Sequence, residues 1–315
     1  MRILVTGGAG FIGSHLCEFW LRRGHQIAII DNLDPFYDPA LKRANLEEIR
    51  SAGCFEFSET DLRDASRLRQ VVTEFRPEAV AHLAARAGVR PSLLEPELYV
   101  ATNVLGTVNL FEACHAAGVR RFIFGSSSSV YGRYNRLPFS EDDPIAKPLS
   151  VYAATKAAGE ALAFAYWHLH QTSVVVLRIF TVFGPRQRPD LAIRKFASLI
   201  EEGKELPIFG DGSIQRDYTY VDDVVAAFDR ALEVPCGFEI FNLGNSRTIR
   251  LDYMVETLEK ALGKKALRRH CPPQPGDMDI TYADLTKSRK VLGYNPQVPF
   301  EEGVQRFVQW FRRRA

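Results

Sequence analysis

Met1-Arg-Ile-Leu-Val-Thr-Gly-Gly-Ala-Gly-Phe-Ile-Gly13 opens the chain, and a second apolar run ends at Asp31. Ile3, Leu4 and Val5 read as a buried strand that runs straight into a turn of small residues. The pattern predicts a helix over 14–23 and another strand over 27–30. Gly7, Gly10 and Gly13 let the backbone turn tightly, approach a pyrophosphate and pack the helix against the sheet. The helix N-terminus then offers unpaired N–H groups and a positive dipole end to phosphate. Asp31 ends the next strand, where a carboxylate accepts hydrogen bonds from an adenosine ribose diol and repels a 2′-phosphate. Strand, glycine turn, helix and acid together predict a dinucleotide site that favours NAD over NADP.

Outward from that turn, strand patterns at 55–58, 79–83, 121–125 and 174–179 alternate with amphipathic helices such as 64–75, 98–117 and 150–171. Alternation of this kind predicts an α/β fold, a doubly wound parallel sheet covered by helices on both faces. Ligands then sit beyond the carboxyl ends of the strands. The chemistry-bearing residues do follow those ends: Asp61-Leu62, Ala84-Ala85, the serines from 126 to 129, and Phe180-Thr181. After residue 180 prolines and glycines break the rhythm. The expected division is a Rossmann domain over 1–180, joined by about 216–245, and a smaller discontinuous α/β domain from 181–215 and 246–315.

Composition narrows the class. With 315 residues, 46% apolar and 25% charged, the chain is an ordinary soluble globular protein. A net charge of +2 gives no case for nucleic acid or a membrane surface as partner. No apolar run approaches the ~18 residues of a membrane span. Five cysteines without a CxxC pair read as reduced thiols in a cytoplasmic protein, and no metal cluster is expected.

Tyr152 and Lys156 stand four apart in Ser150-Val-Tyr-Ala-Ala-Thr-Lys156, on one face of the predicted helix. A positive charge beside the phenol lowers its pKa, which makes Tyr152 a general base for an alcohol proton. Phe122-Ile-Phe-Gly-Ser-Ser-Ser-Ser-Val-Tyr-Gly132 brings hydroxyls to the same sheet edge.

On these residues the chain resembles the extended short-chain dehydrogenase/reductases of the NAD-dependent nucleotide-sugar epimerase/dehydratase family, over essentially its whole length. His82-Leu-Ala-Ala85, Asn103, Arg216-Asp-Tyr218 and Phe241-Asn-Leu-Gly-Asn245 extend the match. The resemblance implies tightly held, catalytic NAD contacted by Gly7, Gly10, Phe11, Ile12, Gly13, Asp31, Asn32, Lys42, Asp61, Leu62, Leu83, Ala84, Ala85, Asn103, Tyr152, Lys156 and Phe180. It makes Ser127 the catalytic hydroxyl beside Tyr152 and Lys156. Dehydratases of the family carry Asp-Glu at the next two positions. Ser128-Ser129 stand there in this chain, so the elimination acids are missing and a UDP-sugar 4-epimerase remains.

Phe180-Thr-Val-Phe-Gly-Pro-Arg-Gln-Arg-Pro-Asp190 and the run from Asp31 to Lys42 resemble UDP-glucuronate 4-epimerases more than UDP-glucose 4-epimerases. The resemblance sets Ser127, Ser128, Ser129, Tyr152, Thr181 and Arg188 beside the sugar, with Arg186 competing to meet its carboxylate. Phe209, Gln215, Arg216 and Asp277 would hold the uridine diphosphate, with added positive charge from Arg268 or Arg269 where Gln274 replaces a family arginine. Epimerisation of UDP-glucose or UDP-N-acetylglucosamine, and a decarboxylase-type oxidoreductase, are the alternatives. A homodimer through helices 98–117 and 150–171 is also implied.

Overall fold

The computed structural model describes residues 1–133, 136–235, 237–272 and 280–314. Its first part runs β1 (Arg2–Thr6), α1 (Phe11–Arg22), β2 (Gln26–Asp31), α2 (Pro39–Arg50), β3 (Phe55–Glu59), α3 (Ala65–Phe75) and β4 (Ala79–His82). It continues through α4 (Pro91–Leu94), α5 (Pro96–Val100), α6 (Gly106–Ala116), β5 (Arg121–Ser127), α7 (Val151–His170) and β6 (Ser173–Ile179). Then come β7 (Thr181–Phe183), α8 (Ala192–Glu201), β8 (Glu205–Phe209), β9 (Gln215–Tyr220), α9 (Val221–Ala231) and β10 (Phe238–Leu243). The remainder is β11 (Thr248–Arg250), α10 (Leu251–Leu262), β12 (Leu267–Cys271), β13 (Ile280–Thr281), α11 (Thr286–Lys290) and α12 (Phe300–Arg312).

Seven parallel strands form the main sheet in the order β10-β6-β5-β4-β1-β2-β3. The order reverses between β1 and β4, so the loops leaving these two strands diverge and open a crevice. Side chains alternate across the sheet with the strand period. Ile3 and Val5 enter one apolar core with Leu16, Trp20 and Phe228, whereas Leu4 enters the other with Leu68, Phe111 and Ala163. Each buried leucine, isoleucine, valine or phenylalanine among them stabilises the fold by about 1.5–3 kcal/mol.

The second part is a smaller unit. β9 pairs with β7, β11 and β13, and β8 pairs with β12. The chain crosses back at Tyr220–Val221, later than residue 216, because β9 is held in the smaller sheet throughout its length. From there α9 packs on α1, where Trp20 Nε1 donates to Asp229 Oδ1 at 3.0 Å, and β10 closes the main sheet.

Two local departures bear on the site. The helix expected over 98–117 contains a π turn, Ala101–Leu105, between α5 and α6, and Asn103 lies in it. The strand expected to stop at 125 continues to Ser127, since Ser126 and Ser127 pair in register with Arg178 and Ile179. The Ser150 side chain caps α7 by accepting from Ala153 N at 3.1 Å, which fixes Tyr152 in the first turn and Lys156 one turn later.

Candidate active site

The glycine turn occupies the crevice between β1 and β4. Gly7 has φ +72°, and a Cβ there would stand 2.7 Å from Ala84 N in the loop after β4. At Gly13 a Cβ would fall 2.2 Å from the Gly7 carbonyl oxygen, so α1 can pack this close only without a side chain. Asp31 braces the same turn: its carboxylate accepts from Ala9 N at 3.2 Å and from Leu33 N at 2.9 Å. Burial raises the Asp31 pKa, while Lys42, 3.7 Å away, and the two N–H groups pull it back. On the β4 side, Thr6 Oγ1 accepts from Ala84 N at 3.3 Å and bonds His82 Nδ1 at 2.7 Å. Burial pushes the His82 imidazole down to about 3, so it is a neutral bridge between Thr6 and Thr107.

One cleft is lined by Gly7, Gly10, Phe11, Ile12, Gly13, Asp31, Asn32, Lys42, Asp61, Leu62, Leu83, Ala84, Ala85, Tyr152, Lys156 and Phe180. Asn32 Nδ2 donates to Asp61 Oδ2 at 2.8 Å, and hydrogen bonds from Arg63 hold the Asp61 carboxyl well below the usual range. Asn103 is not among the residues that line this cleft. It stands off the cleft, with Oδ1 accepting from Arg86 N at 2.7 Å and Nδ2 donating to Arg86 O at 2.9 Å and Thr155 Oγ1 at 3.0 Å. Its amide holds the loop after β4 against α7.

Ser127, Ser128 and Ser129 enter the cleft from the end of β5, facing Tyr152. Ser127 Oγ donates to Ser129 Oγ at 3.1 Å. Burial raises the Tyr152 pKa above its ordinary value; a hydrogen bond with Ser127 and the charge of Arg188 oppose that rise. The Lys156 ammonium donates to the Gly125 carbonyl at 2.7 Å and lies over the Phe124 ring. Burial pushes Lys156 down to about 8, against the attraction of Glu160. The Arg188 guanidinium is thus a cation acting on the phenol here.

The loop after β7 separates its two arginines. Arg188 lines the cleft with Thr181, while Arg186, at φ +61°, turns away to Glu18 and Glu48, both at 2.5 Å. Arg188 reaches Asp190 through Nε at 2.9 Å and Nη2 at 2.7 Å. Its Nη1 makes no hydrogen bond among the described residues, so the guanidinium keeps one edge toward the cleft. Phe209, Gln215 and Arg216 do not line this cleft: Gln215 Oε1 accepts from Thr248 Oγ1 at 2.6 Å, and the Arg90 guanidinium lies over the Phe209 ring. Arg268 pairs with Glu259 and Arg269 with Glu205. Gln274 and Asp277 lie outside the described residues. Sequence reasoning assigned no role to Phe36, Tyr37 or Arg86, all in the cleft wall. The signal of Phe36 and Tyr37 was present in the run from Asp31 to Lys42, and that of Arg86 in the loop after β4, but a side chain in a loop has no period to mark it.

Residues 3–244 match the model of the NAD dependent epimerase/dehydratase family. The UDP-glucuronate 4-epimerase of Thermodesulfobacterium geofontis is 42% identical over 308 residues, covering 98% of this chain and 95% of that protein. A crystal structure of the UDP-glucuronic acid 4-epimerase from Bacillus cereus, in complex with UDP-glucuronic acid and NAD, superposes with a TM-score of 0.93 at 36% identity, covering 100% of both chains. The UDP-glucose 4-epimerase of Thermotoga maritima, with UDP-glucose, gives 0.91 at 34% identity, covering 100% of this chain and 99% of that one. With its glycine cradle and its Ser-Tyr-Lys edge in one cleft, the chain belongs to the NAD-dependent epimerase/dehydratase family.

Proposed function

We propose that the chain interconverts UDP-glucuronate and UDP-galacturonate by inverting C4, with NAD as a resident cofactor. The observation that carries this reading is Arg188, fixed on one edge by Asp190 and open on the other, in the same cleft as Tyr152. A guanidinium edge matches a carboxylate with two parallel hydrogen bonds, which a neutral hydroxymethyl group cannot accept in that form.

The cradle fits the cofactor: Gly7 and Gly13 leave room that a Cβ would fill, α1 points its N-terminus into the crevice, and Asp31 suits an unphosphorylated ribose. When bound, NAD accepts a hydride from C4 of the sugar and returns one to the opposite face. Tyr152 takes the O4 proton and later gives it back, and Ser127 holds the same oxygen. Arg188 and Ser127 offset part of the burial that disfavours the phenolate. Lys156, one turn along α7, fixes the nicotinamide ribose. Thr181, Ser128 and Ser129 hold the carboxylate out of line with the carbonyl π system, which slows loss of CO2 from the β-keto acid.

Incubation with UDP-glucuronate and NAD tests the reading, with UDP-galacturonate as the expected product. Turnover of UDP-glucose without UDP-glucuronate, or UDP-4-keto-pentose as main product, overturns it. Two further parts belong to the same proposal. Leu105, in the turn between α5 and α6, and Phe164 and Leu169 on α7 expose apolar side chains, which supports a homodimer; sedimentation should return twice the chain mass. Thiols left free at Cys17, Cys54, Cys114 and Cys271 support a cytoplasmic setting, and no helix among the described residues is long and apolar enough to cross a membrane.

A further inference from the structure

The loop joining β2 to α2 is built from successive turns in which a side chain accepts the N–H two residues on: Asp31 to Leu33, Asn32 to Asp34, Asp34 to Phe36, and Asp38 to Ala40. That framework delivers the Phe36 ring to the cleft wall between two cations. The guanidinium carbon of Arg188 lies 5.4 Å from the ring centroid and that of Arg86 lies 5.2 Å from it. Arg86 is itself immobilised, by Asp34 and Glu95 at 2.6 Å each and by Asn103 on both sides of its backbone.

Resting on the function proposed above, we infer that Phe36 is a specificity-positioning residue: with Asp190 it holds Arg188 so that the Nη1 edge faces the C5 substituent of the sugar. Asp190 fixes the in-plane direction of the guanidinium, and the ring fixes its plane. The chain of contacts from Asn103 through Arg86 to Phe36 makes that placement independent of substrate. A carboxylate therefore meets an oriented partner, and the C5–C6 bond is kept off the axis of the C4 carbonyl π orbitals. Loosening Arg188 lets the bond align. C5–C6 then breaks in the 4-keto intermediate, CO2 leaves, the electron pair passes into an enolate, and a proton adds at C5 to give UDP-4-keto-pentose.

The test is Phe36→Leu, with Phe36→Tyr as the conservative variant. The expected result for Phe36→Leu is a rise in KM for UDP-glucuronate of about three- to thirtyfold, the range of a cation–π contact. kcat should change little, the pentose by-product should increase, and UDP-glucose affinity should hold within about twofold. Phe36→Tyr restores the wild-type pattern. In an Arg188→Ala background Phe36→Leu should add nothing, since the two act as a unit. Equal loss toward both UDP-sugars, or an unchanged KM and by-product fraction, overturns the role of Phe36 while the function stands. A wild-type enzyme that ignores UDP-glucuronate overturns the function, and this role falls with it.

Discussion

At the dinucleotide end of the cleft the shape is made by main chain: the Gly7 turn, the N-terminus of α1 and the loop after β4 approach within a distance that no Cβ would permit. At the sugar end it is made by side chains, with Ser127, Tyr152, Thr181 and Arg188 arriving from β5, α7, β7 and the loop beyond. Main-chain shape tolerates almost no added atom and ignores charge. Side-chain shape tolerates changes in size and responds strongly to charge. One scaffold can thus keep its cofactor while sugars are exchanged by altering a few side chains.

The sharpest way to separate the two ends is Tyr152→Phe, which removes the proton carrier and leaves the cradle untouched. Epimerisation should fall by about 10²–10⁴-fold, with NAD still retained on gel filtration. Loss of NAD together with activity would mean that the ends are not separable. Gly13→Val attacks the other end. Forcing a side chain against the Gly7 carbonyl should cost about 1–3 kcal/mol, or roughly five- to 150-fold in NAD affinity by calorimetry. Wild-type affinity in that variant would remove the argument from main-chain packing.

Within the sugar end, the two arginines of one loop should behave oppositely. Arg188→Ala should raise KM for UDP-glucuronate by about tenfold or more, from the loss of charged hydrogen bonds. Arg186→Ala should lower Tm without changing that KM, because Arg186 ties the loop to Glu18 on α1 and Glu48 on α2. Equal KM effects from both would sink the assignment of Arg188 to the sugar.

What could be read in advance follows the same division. Gly7 and Gly13 declare themselves because a positive φ or a close approach demands one residue type. Tyr152 and Lys156 declare themselves through helix spacing. Arg186 and Arg188 could not be told apart, since a backbone reversal at Arg186 decides their directions and a proline-rich loop has no periodicity. The contact between Lys156 and the Gly125 carbonyl was not legible for a similar reason: the strand carrying Gly125 ends two residues later than its apolar run suggested. Asn103 lies in a π turn, whose extra residue carries no mark in the apolar pattern and changes which way a side chain faces.

The smallest expected effect concerns pH and belongs to the dinucleotide end. Burial lowers two imidazoles there, His82 to about 3 and His15 to about 4, from an ordinary 6.5. Between those values and 6.5 the unfolded chain binds protons that the folded chain refuses. Stability contributed by keeping them neutral is therefore complete above pH 6.5 and is lost as pH falls through that window. Tm should drop from pH 6.5 toward 4, and His82→Gln, which cannot take up that proton, should show a shallower slope. Carboxylates titrate over part of the same range but do so equally in both proteins, so the difference in slope isolates the imidazole. Parallel curves would mean that His82 does not contribute the acid limb, and that the Thr6–His82–Thr107 bridge tolerates a charge within the cradle's supporting layer.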